Sequence, residues 1–164
     1  MKKLLPVVLL FLVFSCINTK TNTDSFQKIT PIEKHNWQRF AKIEFEVPVH
    51  KNDSLDFYFI FQYNDDFKAM SIPVNISFYT PGGEMRSRNY RFSLVDKKTK
   101  KKLGTTENNR TEIILPIRKE MPFIKDGTCK VVIEKKIPSV DNFGIEGVGL
   151  KAVRSVPVKK PAKK

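Results

Sequence analysis

From residue 43 onward, apolar and polar residues alternate with a period of two, and this constrains the fold more than anything else in the chain. "LDFYFIFQY" sets Leu55, Phe57, Phe59, Phe61 and Tyr63 against Asp56, Tyr58, Ile60 and Gln62. "IEFEVPV" sets Ile43, Phe45, Val47 and Val49 against Glu44, Glu46 and Pro48, and "IPVNISFY" sets Ile72, Val74, Ile76 and Phe78 against Pro73, Asn75, Ser77 and Tyr79. Successive side chains of a strand point to opposite faces, so each segment is a strand with one buried face. "NYRFSLVD", with Tyr90, Phe92 and Leu94 inward, and "TEIILPI", "TCKVVIEKK" and "VGLKAVRS" bring the count to at least seven. No stretch of helical length carries a 3.6-residue period.

Turn signals separate these runs: "HKNDS", "YNDDF", "TPGGE" and "KDGT". Short antiparallel strands with one apolar face are not stable singly, so two sheets must close on a shared core. Thirteen phenylalanines supply apolar area for it. The expected fold is all-β, an antiparallel β-sandwich of immunoglobulin-like or jelly-roll style over residues 26–155. Gly144, Gly147 and Gly149 lead into the last strand, where glycine marks a bulge or a close backbone approach. A phosphate-cradling loop would instead need a following helix, and Val148 to Val153 reads as strand.

The chain begins "MKKLLPVVLLFLVFSC": two lysines, an apolar block of eleven residues, then a small residue before Cys16. That is the pattern of an export signal, too short for the roughly 20 apolar residues of a permanent span. Val13, Phe14, Ser15 and Cys16 resemble a bacterial lipobox, in which the cysteine is acylated, palmitate being a typical chain, and becomes the first mature residue. Residues 1–15 are then a lipoprotein signal peptide, 16–25 a polar tether and 156–164 a basic disordered tail. The alternative is a secreted protein with a Cys16–Cys129 bridge. With Cys16 lipidated, Cys129 is an unpaired thiol in phase with Val131 and Ile133, a small buried hydrophobe. Lipoproteins exported to the cell surface can carry an acidic run after the cysteine; none follows here, so the expected location is the periplasmic face of the outer membrane.

The net charge of +13 is uneven. "DKKTKKKLG" holds five lysines in seven positions and "VPVKKPAKK" four more. Neither stretch is periodic, and both read as solvated segments. Lipid A phosphates or peptidoglycan carboxylates are conceivable ligands by charge, but lysines without arginines or aromatics beside them do not make a nucleic-acid site. His35 and His50 have no metal-ligand spacing. Asp65 and Asp66 are turn formers before they are a carboxylate pair or a calcium site, which needs six to eight oxygens. No nucleophile elbow, zinc-protease helix or phosphate loop occurs, so no catalytic residue, metal or cofactor is expected, and no enzyme. Tyr58, Ile60 and Tyr79 lie on faces opposite the core; the N-terminal Phe26, Ile29, Ile32, Trp37 and Phe40 are expected to cover them, while an exposed aromatic stripe would suit a glycan or a protein partner.

The lipobox, Trp37 ahead of the first alternating run, "YNDDF", "SFYTPGGEM" and the closing "DGTCKVVIEKKIPSVDNFGIEGVGLKAVR" together resemble the gliding-motility lipoprotein GldH family of the Bacteroidota. The likeness runs from the lipobox to about Ser155. It implies a lipid-anchored envelope protein required for surface motility in gliding species, working in a protein complex coupled to type IX secretion, with no catalytic residues to carry over. The chain departs from the family pattern in the lysine-rich "DKKTKKKLGTTENNR", which keeps only Leu103 and Gly104 of a glycine-rich loop, and in the basic tail after Ser155.

Overall fold

A computed structural model describes residues 25–138 and 142–156. Cys16, the signal segment, nearly all of the tether and all but Val156 of the tail lie outside those residues. Among the described residues nine strands form: β1 (Ser25–Pro31), β2 (Lys42–Val49), β3 (Ser54–Asn64), β4 (Ser71–Tyr79), β5 (Met85–Ser93), β6 (Thr105–Glu107), β7 (Arg110–Pro122), β8 (Gly127–Lys135) and β9 (Ile145–Arg154). They make two antiparallel sheets, one of five strands in the order β1-β9-β3-β7-β6 and one of four in the order β2-β8-β4-β5. A 3-10 turn at Glu33–His35 follows β1. The expected sandwich is present, with all seven sequence-derived strands in it.

The core is what the alternation prescribes. Leu55, Phe57, Phe59, Phe61 and Tyr63 are all buried, as are Ile43, Phe45, Val47 and Val49 of β2 and Ile72, Val74, Ile76 and Phe78 of β4. The aromatic row of β3 reaches across the gap between sheets: Phe57 meets Phe78 edge-on at 5.1 Å and Phe59 stacks on Phe92 at 5.4 Å. Burying each such ring contributes about 1.5–3 kcal/mol, so β3 is the backbone of the core. Cys129 lies fully buried on β8, and burial alone pushes its thiol from an ordinary 9.0 up to about 12.

That shift has a defined consequence for stability. Between pH 9 and about 12 the unfolded chain gives up the Cys129 proton while the folded chain keeps it, so the unfolded state binds fewer protons and stability falls as pH rises through that window. The contribution is fully present below pH 9. Comparing urea midpoints of wild type and Cys129→Ala across this range cancels the lysine titrations; the stability gap between the two is expected to shift steadily in favour of the alanine variant as pH rises. A constant gap would show that Cys129 is accessible.

Period leaves two segments unassigned, the three-residue β6 and the longer β1. Paired to β9 from Ser25↔Val153 to Pro31↔Gly147, it edges the five-stranded sheet and does not lie as a flap over the outer face. The glycines of β9 make room for it. A Cβ on Gly149 would sit 2.8 Å from Ile29 Cγ1, 2.9 Å from the Lys28 carbonyl and 3.1 Å from Ile60 Cβ. Gln62 faces Gly147 while Tyr63 faces Ile145, so Glu146 is the extra residue of a bulge. Bulge and close approach are both realised at this glycine run.

Crossings between sheets are fastened by polar turns. Where β2 passes to β3, the Asp53 carboxylate accepts from the His50 amide at 2.8 Å, and the Asn52 amide donates to the Phe123 carbonyl at 2.8 Å. Where β3 passes to β4, Asn64 Oδ1 accepts from the Asp66 amide at 2.9 Å and the Asn64 amide donates to the Gly144 carbonyl at 2.9 Å. The "HKNDS" and "YNDDF" signals therefore mark strand crossings and not hairpins within one sheet.

Candidate functional site

The candidate chemical groups are dispersed. Asp65 and Asp66 occupy the turn after β3, and Lys102 bonds Asp65 at 2.5 Å, holding its carboxyl below the usual carboxylate range. His50 sits at the other end of that eleven-residue strand, its Nδ1 3.4 Å from Asp126 Oδ1 on an exposed corner. His35 lies in the 3-10 turn after β1. Among the described residues no group of three or more His, Cys, Asp or Glu side chains converges as metal ligands would.

The lysine-rich loop is ordered by its own aspartate. Asp96 Oδ1 accepts from the Lys98 amide at 3.0 Å, the Thr99 amide at 2.7 Å and the Thr99 hydroxyl at 2.9 Å. These bonds depress the Asp96 carboxyl pKa, the Thr99 amide contributing most. Val95 bridges to Lys102, making a tight exposed turn that leads into β6. It is a solvated feature with a fixed base.

The outer aromatics are not one stripe. Tyr58 belongs to β3 in the five-stranded sheet and Tyr79 to β4 in the four-stranded sheet, so they look out from opposite sides of the sandwich and share no stacking platform. Ile60 is fully buried although it faces outward. Ile29 of β1 reaches it across the bare backbone of Gly149, so the N-terminal segment does cover this residue, as an edge strand. Trp37 goes elsewhere. It is buried at the corner before β2, its indole donating to the Ala41 carbonyl at 3.2 Å and its own carbonyl accepting from Lys135 Nζ. Phe40 and Phe143 remain exposed, Phe143 on the rim of a groove of about 340 Å3 beside Trp37.

One site was not legible in the sequence as read. On β5, Arg86 and Arg88 share the inward face with Tyr90 and Phe92, and with Arg118 of β7 they wall a groove of about 410 Å3 floored by Ile76 and Phe78. The available signal was phase: two arginines stand in register with core aromatics, which says that this face leaves the core at the Met85 end of the strand.

Two antiparallel sheets closed on a continuous aromatic core, with their polar groups engaged in crossings and surface ion pairs, define the chain as an all-β sandwich domain. The family description "GldH lipoprotein" matches residues 24–152, and the chain belongs to that family. It is thereby a gliding-motility-associated lipoprotein, attached to a membrane by lipid. No curated protein matches it. Among solved structures it is similar to the infectious bursal disease virus VP2 subviral particle (TM-score 0.40, 14% identity, 80% of this chain and 32% of that chain). It is also similar to dimeric latent PorU from Porphyromonas gingivalis (0.36, 9%, 80% and 13%) and to a family 35 carbohydrate-binding module from Clostridium thermocellum (0.33, 13%, 77% and 90%). The chain thus spans about a third of the viral protein, and none of these likenesses bears on function. Among the described residues no helix is long and apolar enough to cross a membrane.

Proposed function

We propose that this chain is a non-enzymatic outer-membrane lipoprotein, acylated at Cys16 and held on the periplasmic face, whose sandwich is a structural or assembly component of the motility machinery associated with type IX secretion. The observation that carries the reading is the family match over residues 24–152, which takes in eight of the nine strands whole and all but the end of β9. Site geometry supports it: the candidate acids and histidines lie at separate turns, Asp65 paired with Lys102 and His50 with Asp126, and do not converge on one cleft. A two-sheet body with short crossings suits a part that holds neighbours in register.

In a gliding species that carries the gene, its deletion is expected to abolish colony spreading, and expression of the full chain to restore it. Crosslinking followed by affinity capture from membranes is expected to enrich motility or secretion components over bulk porins. Spreading unchanged by the deletion, with only porins captured, would refute the scaffold role.

A further inference from the structure

The open long side of the sandwich, between β5 and β7, carries an inference about what this scaffold holds. β5 is the outer strand of its sheet, and among the described residues no strand pairs with its free side. Toward its end, Tyr90 fastens the two sheets, its hydroxyl donating to the Ile117 carbonyl at 3.1 Å and its ring stacking on Phe92 at 5.3 Å. Toward its start the sheets part over Ile76 and Phe78, and Arg86, Arg88 and Arg118 stand around the opening. Arg86 is bonded to Glu84 at 2.6 Å. Arg88 lies over the Tyr90 ring at 5.5 Å, and neither it nor Arg118 has a carboxylate partner among the described residues.

Three demands coincide there. A free strand edge presents a row of unpaired N–H and C=O groups. A guanidinium offers a planar fork of donors that matches a carboxylate with two parallel bonds. The side chains of an added strand repeat every second residue, about 6.6–6.8 Å apart, which is the spacing that Arg86, Arg88 and Tyr90 already follow along β5.

We propose that β5 and this groove form a strand-addition site for an extended acidic segment of a partner protein, with carboxylates at alternate positions opposite Arg86, Arg88 and Arg118 and an apolar residue beside Tyr90. Main-chain pairing to β5 supplies affinity and the alternating pockets supply choice. Charge on an edge strand also blocks indiscriminate pairing, and the same arginines that repel a basic or apolar strand select an acidic one. A second copy of this chain is a poor occupant: the opposite edge of its sheet, the acidic β2, turns Glu44 and Glu46 outward and its inward row, Ile43, Phe45, Val47 and Val49, is already buried. That the partner is an envelope protein rests on the scaffold reading; the site itself rests on the groove.

The test uses the full chain, purified in detergent, and fluorescence anisotropy of a capped ten-residue peptide of alternating Glu and Val. Comparison peptides have the same composition in two blocks, Lys in place of Glu, or N-methylation at all Glu or all Val amides. The alternating acidic peptide is expected to bind at least tenfold more tightly than the block and Lys peptides, and one of the two N-methylated forms, the one whose blocked edge faces β5, to lose binding. Arg88→Glu and Arg118→Glu, both exposed, are each expected to weaken binding at least tenfold with unchanged Tm, and the double variant to gain affinity for the Lys peptide. Equal binding of alternating and block peptides, of both N-methylated forms, or of wild type and variants would overturn the proposal, as would no binding at all. So would self-association of the chain that Arg88→Glu abolishes. No motility phenotype enters the readout, so failure here leaves the scaffold reading standing, and loss of that reading leaves the groove to be judged on its own.

Discussion

Gly144→Ala is expected to destabilise the fold by about 3–5 kcal/mol, in the range reserved for strain at a special backbone position combined with lost packing. Gly144 has φ of +82°, and a Cβ there would lie 2.2 Å from the Phe67 amide nitrogen, 2.7 Å from the Asp66 carbonyl carbon and 2.8 Å from Asn64 Oδ1. The first two are backbone atoms of the crossing from β3 to β4 and have no rotamer to change. Relief requires moving that turn, which breaks the bond from the Asn64 amide to the Gly144 carbonyl and withdraws Phe67 from its edge contacts with Phe61 at 5.5 Å and Tyr63 at 5.8 Å. Gly83 is the internal control. Its φ of +87° is almost the same, yet nothing lies within 4 Å of its would-be Cβ, so Gly83→Ala should cost only the left-handed penalty of about 1–2 kcal/mol. Urea unfolding of the two variants separates conformational strain from steric exclusion; equal losses would contradict the close approach.

The same turn shows what period alone can and cannot reveal. Alternation fixes inside and outside for each strand, because a residue's face is a local property of the pleat, and every residue assigned inward in β2, β3 and β4 is buried. It does not say which sheet a strand joins. β3 and β4 are neighbours in sequence but lie in different sheets, so Tyr58 and Tyr79, both correctly outward, look away from each other. β1 escaped for a related reason. Ser25–Pro31 is a half-exposed edge strand, and the evidence for it sits in Gly147 and Gly149 of β9, more than a hundred residues away in sequence, where missing side chains leave a seat for Ile29. The arginine groove needed the same non-local information: Arg86, Arg88 and Arg118 meet only because the open sides of two sheets face each other. Turn chemistry was local and readable, since Asp53, Asn64 and Asp96 act on amides two or three residues away.

Cys16→Ser is expected to move nearly all of the chain from the membrane pellet to the soluble fraction. A serine hydroxyl does not take the place of the thiol in forming a thioether, so with Cys16 as the proposed lipidation site the change removes every acyl chain at once. Each buried methylene contributes about 0.8 kcal/mol, one chain holds only marginally, and two or more hold firmly; among the described residues no helix replaces them as a span. Charge is the competing attachment. A chain of net charge +13 is drawn to anionic headgroups by about 1 kcal/mol per nearby lysine or arginine, but that attraction decays within a Debye length of roughly 3 Å at 1 M salt. A high-salt wash therefore divides the two: wild type should stay in the pellet until detergent is added, and Cys16→Ser should leave with the salt at unchanged Tm, because the buried core among the described residues is built from Trp37 to Ala152. Intact mass should show the acyl groups on wild type only. If the serine variant resists the wash, the anchor lies elsewhere in the chain; if it leaves folded and its crosslinked partners are lost with it, the lipid sets where the scaffold works while the sandwich sets what it holds.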